Sequence, residues 1–280
     1  MKLFNNRAVL IATKHHKEKV IAPLLQAHFN MTTAVPPDFD TDNFGTFSGE
    51  IERKNGALET LRQKCEAAMN QYGYDLGIAS EGSFGPHPTL FFGHADDELL
   101  VIIDKKNNLE IIAREVSLDT NFNSETISSL TELRAFANKA QFPSHALILK
   151  AEHEKGTEII KAIQTWDDLE NHFIKLKQKF SEIQVETDMR AHLNPTRMKV
   201  IELAMEKLIQ KMKNCCPNCQ TPGFDVKEVL KGLPCEWCKR PTQSTKAFRY
   251  ECVKCNFSEI KNFPHDKKVE SPEFCDYCNP

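Results

Sequence analysis

The 280-residue chain lacks the features that mark several special classes of protein. It has only 11 glycines, which excludes a collagen-like repeat, and no apolar run near the roughly 20 residues of a membrane-spanning helix. The first residues do not form a signal peptide, so we expect a cytoplasmic protein without a membrane partner. A net charge of −3 provides no bulk attraction to nucleic acid. The composition, 40% hydrophobic and 27% charged, is that of an ordinary globular protein.

Cysteine is nearly absent from most of the chain and abundant at its end. Only Cys65 precedes position 215, and the other nine of the ten cysteines follow it. Eight of these form four Cys-x-x-Cys pairs, namely Cys216/Cys219, Cys235/Cys238, Cys252/Cys255 and Cys275/Cys278. Because two such pairs supply the four thiolates of a tetrahedral site, the sequence predicts two structural zinc ions.

The spacing of the cysteine pairs leaves their partners open. A sequential arrangement joins the first pair to the second and the third to the fourth. A nested arrangement joins the second pair to the third, inside a site made by the first and fourth. Disulfide bonds are the other alternative, but they are typical of secreted proteins and the chain shows no signal peptide. A segment this short has a small core, so we expect the metal to supply much of its folding free energy.

The rest of the chain alternates short apolar runs with helical patterns, which indicates an α/β fold with a mixed sheet and helices on its faces. Apolar residues at helical spacing predict a helix over 57–72 that ends at Gly73, and a second helix is predicted over 125–140. The Asn194-Pro195 pair predicts the start of a helix. We therefore expect three parts: an α/β domain over 1–193, a connecting helix over 194–213 and a zinc-ribbon-like domain over 214–280.

Two polar segments near the start of the chain have the composition of a phosphate site. Lys17 follows the first strand at the start of a helix, where backbone amides and a cation favour phosphate. Glu50 and Arg53 belong to a segment rich in small and acidic residues, which suits a Mg²⁺–phosphate ligand. Solvated turns explain both segments equally well at the level of sequence.

Two further segments are candidates for a binding site. The segment 79–88 contains two glycines and two prolines, and we interpret it as a loop at the carboxyl end of a strand, where open α/β sheets bind ligands. It presents Glu81 and His87. Arg190 and Arg197 flank a helix start and suit the binding of an anion, although capping and salt bridges between domains explain them nearly as well.

The motifs in these segments resemble a family of bacterial proteins that carry a domain of unknown function. The resemblance rests on the segments 45–50, 79–88 and 188–198 together with the four Cys-x-x-Cys pairs. It covers nearly the whole chain, and it implies no established activity.

The body alone is also similar in layout to the house-cleaning nucleoside triphosphate pyrophosphatases. The similarity rests on a strand followed by a basic turn, a Lys64-Cys65 pair at the centre of a helix, and an acidic residue, Glu81, after the next strand. It implies a Mg²⁺-dependent enzyme in which Lys17 contacts phosphate. Glu50 and Glu81 would then be metal ligands or bases.

Two functions follow as hypotheses. In the first, the body is a Mg²⁺-dependent phosphohydrolase acting on a nucleotide or another phosphorylated small molecule. Its catalytic residues are Glu50, Glu81 and His87, and its phosphate-binding cations are Lys17, Arg53, Arg190 and Arg197. In the second, the protein is not an enzyme: the body senses a ligand and the tail binds nucleic acid or another protein.

The tail contains basic and aromatic residues of the kind that bind nucleic acid, among them Arg249 and Lys254. Eight thiolates and two Zn²⁺ ions, however, change its formal charge from +1 to −3. A solvated face around a minimal core is therefore the simpler interpretation of these residues.

Overall fold

The computed structural model describes residues 3–39, 56–87, 93–153 and 156–280. The chain forms two compact units, a larger one over Phe4–Ile209 and a smaller one that contains Leu3 and Gln210–Pro280. The larger unit is built from mixed α/β structure, and the smaller one carries the cysteine-rich segment. The predicted fold class, α/β with a zinc-ribbon-like tail, is confirmed.

The first sheet of the larger unit has five strands in the order β2-β1-β3-β4-β5. These are β1 (Ala8–Ala12), β2 (Thr32–Ala34), β3 (Leu76–Pro86), β4 (His94–Asp104) and β5 (Leu109–Ser117). Strand β1 is parallel to β2 and β3, whereas β3, β4 and β5 are antiparallel neighbours. The pairing of β1 with β3 ends at Ala12 and Ala79, so the second half of β3 continues past the carboxyl end of β1.

Two helices accompany this sheet, α1 (Glu18–Phe29) and α2 (Ala57–Tyr72). Helix α2 has the predicted bounds, and Gly73 ends it in the left-handed conformation with φ 72°. Its residues Leu61 and Cys65 pack against Ala79 and Val101 of the sheet in one buried cluster. Because side chains alternate along a strand, the neighbours of Ala79 and Val101 point to the other face.

The second sheet of the larger unit has four strands in the order β6-β9-β7-β8, and all its pairs are antiparallel. The strands are β6 (Ser124–Ile127), β7 (Leu147–His153), β8 (Gly156–Ile163) and β9 (Ile183–Thr187). Two helices, α3 (Leu130–Lys139) and α4 (Trp166–Lys177), contribute to its buried apolar cluster. This sheet precedes the segment that carries Arg190 and Arg197.

The helix predicted over 125–140 is wrong in its first part, because residues 124–127 form strand β6. The helix begins only at Leu130. Ser129 and Glu132 form a capping box there, in which each side chain accepts a hydrogen bond from the backbone of the other. This pair of side chains sets the boundary between strand and helix.

Helix α5 (Pro195–Lys213) begins at the predicted Asn194-Pro195 pair. The Asn194 side chain accepts a hydrogen bond from the backbone N–H of Arg197 at 3.0 Å, as an N-cap does. The smaller unit contains a three-stranded antiparallel sheet of β10 (Asp225–Lys231), β11 (Thr245–Glu251) and β12 (Ser258–Asn262). Among the described residues, no helix has the length and apolar character to cross a membrane.

The interpretation of 79–88 as a loop is wrong for the residues that the structure describes. Residues up to Pro86 continue β3 and pair with β4 as far as His94. The two glycines, Gly82 and Gly85, lie inside this strand. In a strand, glycine often marks a place where another group approaches the backbone closely, rather than the end of the strand.

The close packing of α2 on β3 predicts that two glycines of the same strand differ in their tolerance of a methyl group. A Cβ at Gly77 would lie 2.5 Å from Cγ and Sδ of Met69, whereas one at Gly85 would meet nothing within 4 Å. We expect Gly77→Ala to lower the free energy of unfolding by about 1–3 kcal/mol, and Gly85→Ala to change it by less than about 0.5 kcal/mol. Urea unfolding of both variants measures the difference, and equal effects would contradict the packing.

Candidate functional site

The eight cysteines of the four pairs form two groups in the smaller unit, and in each group the four sulfur atoms lie within 4.8 Å of one another. The first group is Cys216, Cys219, Cys252 and Cys255; the second is Cys235, Cys238, Cys275 and Cys278. The arrangement is interleaved, with the first pair joined to the third and the second to the fourth. Both predicted arrangements, sequential and nested, are therefore wrong.

The three-stranded sheet explains the interleaved arrangement. Strand β10 begins opposite the end of β11, where Asp225 pairs with Glu251, so the cysteines before β10 meet those in the β11–β12 turn. At the other end of the sheet, Lys231 pairs with Thr245 and Ala247 with Asn262. The cysteines of the β10–β11 connection therefore meet those that follow β12.

The distances between sulfur atoms are those of metal sites. They are 3.7 Å for Cys216–Cys255, 3.5 Å for Cys219–Cys252, 3.9 Å for Cys235–Cys278 and 3.6 Å for Cys238–Cys275. Four sulfurs around a zinc ion at about 2.3 Å stand about 3.8 Å apart, whereas a disulfide bond is about 2.05 Å long. Each group can therefore hold a metal ion.

The larger unit has a different feature, a group of buried charged side chains that we call the charged cluster. Its members are each at most 9% exposed, and they are Lys17, Lys64, Glu81, Asp96, Glu98 and Arg197. They come from the segment after β1, from α2, β3 and β4, and from the start of α5. Charged side chains are rarely buried unless they are paired, so six in one group make this region a candidate site.

Two ion pairs bind four members of the charged cluster. The Lys64 ammonium contacts the Glu81 carboxylate and donates a hydrogen bond to the Ser80 carbonyl oxygen at 3.0 Å. Arg197 Nε donates to Glu98 Oε1 at 2.6 Å, and Nη1 of the same guanidinium donates to the Met189 carbonyl oxygen.

Gly82 lies opposite Glu98 in the β3–β4 pairing and makes room for the second ion pair. A Cβ atom at this position would collide with the Arg197 guanidinium and with the Glu98 carboxylate. The glycine that was interpreted as a loop residue therefore lets a buried ion pair lie directly on the strand.

Three carboxylate oxygens of the charged cluster are buried without a hydrogen-bond partner in the described part of the chain. Asp96 is 1% exposed, and neither of its carboxylate oxygens has a partner among the described residues; the same holds for Glu98 Oε2. Asp96 and Glu98 are alternate residues of β4, so both point to the same face of the sheet. Buried polar atoms nearly always have partners, and this pair therefore has unused capacity to bind a ligand.

Two residues of the charged cluster have pKa values that are shifted toward neutral pH. Burial raises the pKa of Asp96 to about 8, the negative charge of Glu98 adds to the rise, and Arg197 and Lys17 oppose it. Burial also lowers the pKa of Lys17 to about 8; Arg197 and Lys64 lower it further, while Glu98 and Glu81 raise it. An acid and a base with such pKa values in one buried group are typical of functional sites.

Three histidine rings are in contact near the start of α1: His15 and His16, which precede the helix, and His192. The rings of His15 and His192 stack with centroids 5.3 Å apart, and the ring of His16 meets His192 edge-on at 5.5 Å. Burial lowers the pKa of His192, and the positive charge of Arg190 lowers it further. These imidazoles are sequence neighbours of Lys17 and Arg190, and they are candidates for proton transfer.

The structure brings together only some of the residues predicted from the sequence. Lys17, Glu81 and Arg197 belong to the charged cluster. Arg190 instead forms an ion pair with the buried Asp188.

His87 follows β3 and lies about 20 Å along the strand from Glu81, at about 3.3 Å per residue. The predicted Glu50 and Arg53 lie outside the described residues.

Sequence reasoning missed Asp96, Glu98 and Lys64, although each left a signal. Asp96 and Glu98 are acidic residues at a spacing of two in a segment that continues into an apolar strand, which places both on one face. Lys64 is a single charged residue on the apolar face of α2, between Leu61 and Ala68. A charge in such a position needs a buried partner, and here it is Glu81.

The interleaved cysteine groups predict the metal content of double variants. We expect the wild type to hold two metal ions per chain. Cys216→Ser with Cys252→Ser damages one group only, so this variant should keep one ion, whereas Cys216→Ser with Cys235→Ser should keep none. The sequential and nested arrangements both predict no ion in the first variant. Elemental mass spectrometry of the purified proteins gives the stoichiometry and identifies the metal.

The raised pKa of Asp96 predicts a pH-dependent stability. The carboxyl has a pKa of about 3.9 in the unfolded chain and about 8 in the folded protein, so between these values the folded state holds a proton that the unfolded state lacks. The free energy of unfolding should then fall as pH rises, by at most about 1.4 kcal/mol per pH unit. Asp96→Asn does not titrate, so its stability relative to wild type should increase from pH 5 to pH 8.

Urea unfolding in magnesium-free buffer at several pH values measures this trend. Asp97→Asn is the matched control, because Asp97 lies on the opposite face of β4 in an ion pair with Arg114. Parallel pH profiles for the two variants would show that Asp96 does not titrate in this way.

Comparison with known proteins places the chain in one family. No curated protein and no solved structure matches it. No match supports the similarity in layout to the nucleoside triphosphate pyrophosphatases. A family model described as Domain of unknown function (DUF6671) matches residues 64–280, which include both cysteine groups and every member of the charged cluster except Lys17. The predicted resemblance to a domain of unknown function is confirmed, and the chain belongs to this family.

Proposed function

We propose that the charged cluster is the active site of a Mg²⁺-dependent phosphohydrolase, in which Asp96 and Glu98 bind the metal ion and Lys17 binds phosphate. The observation that carries this proposal is the buried Asp96 carboxylate, whose two oxygens have no partner in the described part of the chain. A divalent cation would supply the missing partner for Asp96 and for Glu98 Oε2. Carboxylate oxygens are the protein ligands that Mg²⁺ prefers.

The charges of the cluster favour a metal that arrives with a phosphorylated substrate. Its three basic and three acidic side chains balance one another when all are ionised. A phosphate group alone would therefore enter a site without net positive charge. Mg²⁺ is commonly held by one or two carboxylates together with substrate phosphates and water, which is the ligand set available here.

The position of Lys17 supports its role at the phosphate. It immediately precedes the first residue of α1, so it stands at a helix N-terminus, where the backbone favours anions. The site also lies where the parallel strand β1 ends beside β3, and open α/β sheets bind ligands at such carboxyl ends. With a pKa of about 8, Lys17 is mostly protonated at neutral pH and can neutralise phosphate charge.

The side chains of the charged cluster have different roles in the proposed hydrolysis. Asp96 and Glu98 would hold the metal ion, which when bound would supply Lewis-acid chemistry at a phosphoryl oxygen and at water. Arg197 holds the Glu98 carboxylate in place, whereas the Lys64–Glu81 pair lies on the other face of the sheet, toward α2, and fixes the charges there. The oxygen of water would form a bond to phosphorus, the bond to the leaving oxygen would break, and the proton released by the water would pass through solvent to the leaving oxygen.

The closed four-thiolate groups have a separate role. We infer that both hold Zn²⁺ and that the ions are structural, because four thiolates leave no open coordination position for a substrate. Phe224 and the partly buried Tyr250 and Phe257 are the apolar residues packed with Cys216 and Cys252, so the apolar core of this part of the tail is small. The metal ions then contribute directly to its folding free energy.

The alternative role of the tail in nucleic-acid binding receives less support from the charges. Arg249, one of its two candidate contacts, forms ion pairs with Glu228 and Glu251 at 2.8 and 3.0 Å. A phosphate would have to compete with both carboxylates. The body therefore remains the better candidate for function.

A panel of phosphorylated compounds, assayed with and without Mg²⁺, tests the proposed activity. We expect Asp96→Asn and Glu98→Gln each to reduce kcat/KM by about 100-fold or more, which is the loss typical of a residue that takes part in the chemistry. Asp97→Asn should retain activity within about twofold, because its side chain points away from the site. No Mg²⁺-dependent turnover by wild type, or full activity of Asp96→Asn, would refute the proposal.

A further inference from the structure

A cleft of about 510 Å³ lies in the larger unit, at the start of strand β4. It is lined by Gly93 and His94 at the start of β4, by residues of the 118–123 segment, and by Lys139 and Ala140 at the end of α3. Its volume falls within the range of small-molecule sites, roughly 300–1,000 Å³. Its lining combines the apolar side chains of Leu118, Phe122 and Ala140 with polar ones, among them those of His94, Asn121 and Lys139.

The cleft and the charged cluster share one face of strand β4. His94, Asp96 and Glu98 are alternate residues of this strand, so their side chains point to the same side. Alternate residues of a strand are about 7 Å apart. The cleft therefore begins one step along the strand from the proposed metal ligands.

A row of aromatic rings connects the two regions. The Arg197 guanidinium lies 4.9 Å from the centre of the Phe84 ring, and the Phe84 and Phe122 rings are 5.8 Å apart. The Phe122 ring is 5.3 Å from the ring of His94, at an angle of 64°. Arg197 thus contacts Glu98 on one side and this row of rings on the other.

Polar contacts hold the wall of the cleft in position. The Asn121 side chain donates a hydrogen bond to the Ala140 carbonyl oxygen at 3.0 Å and accepts one from the Asn194 side chain at 2.8 Å. His94 Nδ1 lies 3.3 Å from the Phe122 carbonyl oxygen. The segment that carries Phe122 is therefore fixed by the end of α3 and by the start of α5, and a bound ring would meet a preformed wall.

We propose that this cleft binds the nucleobase of a nucleoside phosphate, whose phosphate lies at the charged cluster. The inference rests on the proposed function and extends it to a substrate class. A ligand that fills both regions needs a flat ring for Phe122 and His94 and a phosphate for Lys17. The sugar of a nucleotide joins these two groups across the short distance along β4.

The test compares a nucleoside monophosphate with ribose 5-phosphate, which has a phosphate but no base. We expect Phe122→Ala to reduce kcat/KM for the nucleotide about 5- to 150-fold, as the loss of one base–aromatic stack does, and to leave ribose 5-phosphate unchanged. Phe122→Tyr keeps the ring and should keep the preference for the nucleotide. His94→Ala, which removes the second ring from an exposed position, should show the same selective loss.

A binding measurement separates this inference from the proposed activity. Nucleosides without phosphate are titrated into wild type, Asp96→Asn and Phe122→Ala by calorimetry. Binding that persists in Asp96→Asn and is lost in Phe122→Ala supports the cleft, even if no compound is hydrolysed, and in that case the proposed hydrolase is wrong. Turnover that depends on Asp96 but does not distinguish nucleotide from ribose 5-phosphate, in wild type or in Phe122→Ala, overturns the inference and leaves the hydrolase intact.

Discussion

The buried ion pair between Arg197 and Glu98 connects the two sheets of the larger unit. Glu98 belongs to the first sheet, and Arg197 lies 99 residues later in the first turn of α5, the helix that follows the second sheet. Gly82 leaves the space in which both side chains lie against the strand. The loss of one partner would leave a buried charge without compensation, which typically costs about 3–5 kcal/mol. The position of α5 on the first sheet and the geometry of the candidate site therefore depend on the same contact.

The charged cluster appears costly when it is considered as a structural element alone. Asp96 is buried without a hydrogen bond, and its raised pKa shows that the folded protein favours the neutral carboxyl. Folding would be easier with an apolar residue at this position. Proteins keep such conflicts mainly at functional sites, where a ligand supplies what the fold lacks. The two ion pairs fix the surrounding charges, and Arg197 keeps the Glu98 carboxylate in place.

Prediction from sequence succeeded where the signal was local and failed where it depended on distant partners. Helix α2 was predicted with its bounds because its apolar spacing and the terminal Gly73 lie within the segment itself. The 79–88 segment was misread because its glycines were interpreted as turn residues, whereas Gly82 accommodates Arg197 from a distant part of the chain. Lys17, Glu81 and Arg197 were named as candidates from their own surroundings, and the fold buries all three. Nothing in the sequence near Lys64 indicated that it pairs with Glu81.

The sequence by itself determined that the tail contains eight paired cysteines, that the body is α/β, and where several helices begin and end. Cys-x-x-Cys spacing and helical periodicity act over a few residues, so they can be recognised in the chain. Only the tertiary structure decided which cysteine pairs share a metal site, because the antiparallel order of β10, β11 and β12 brings alternate pairs to the same end of the sheet. It also decided that Asp96 and Glu98 face Arg197, since contacts between distant segments depend on how the strands and helices pack.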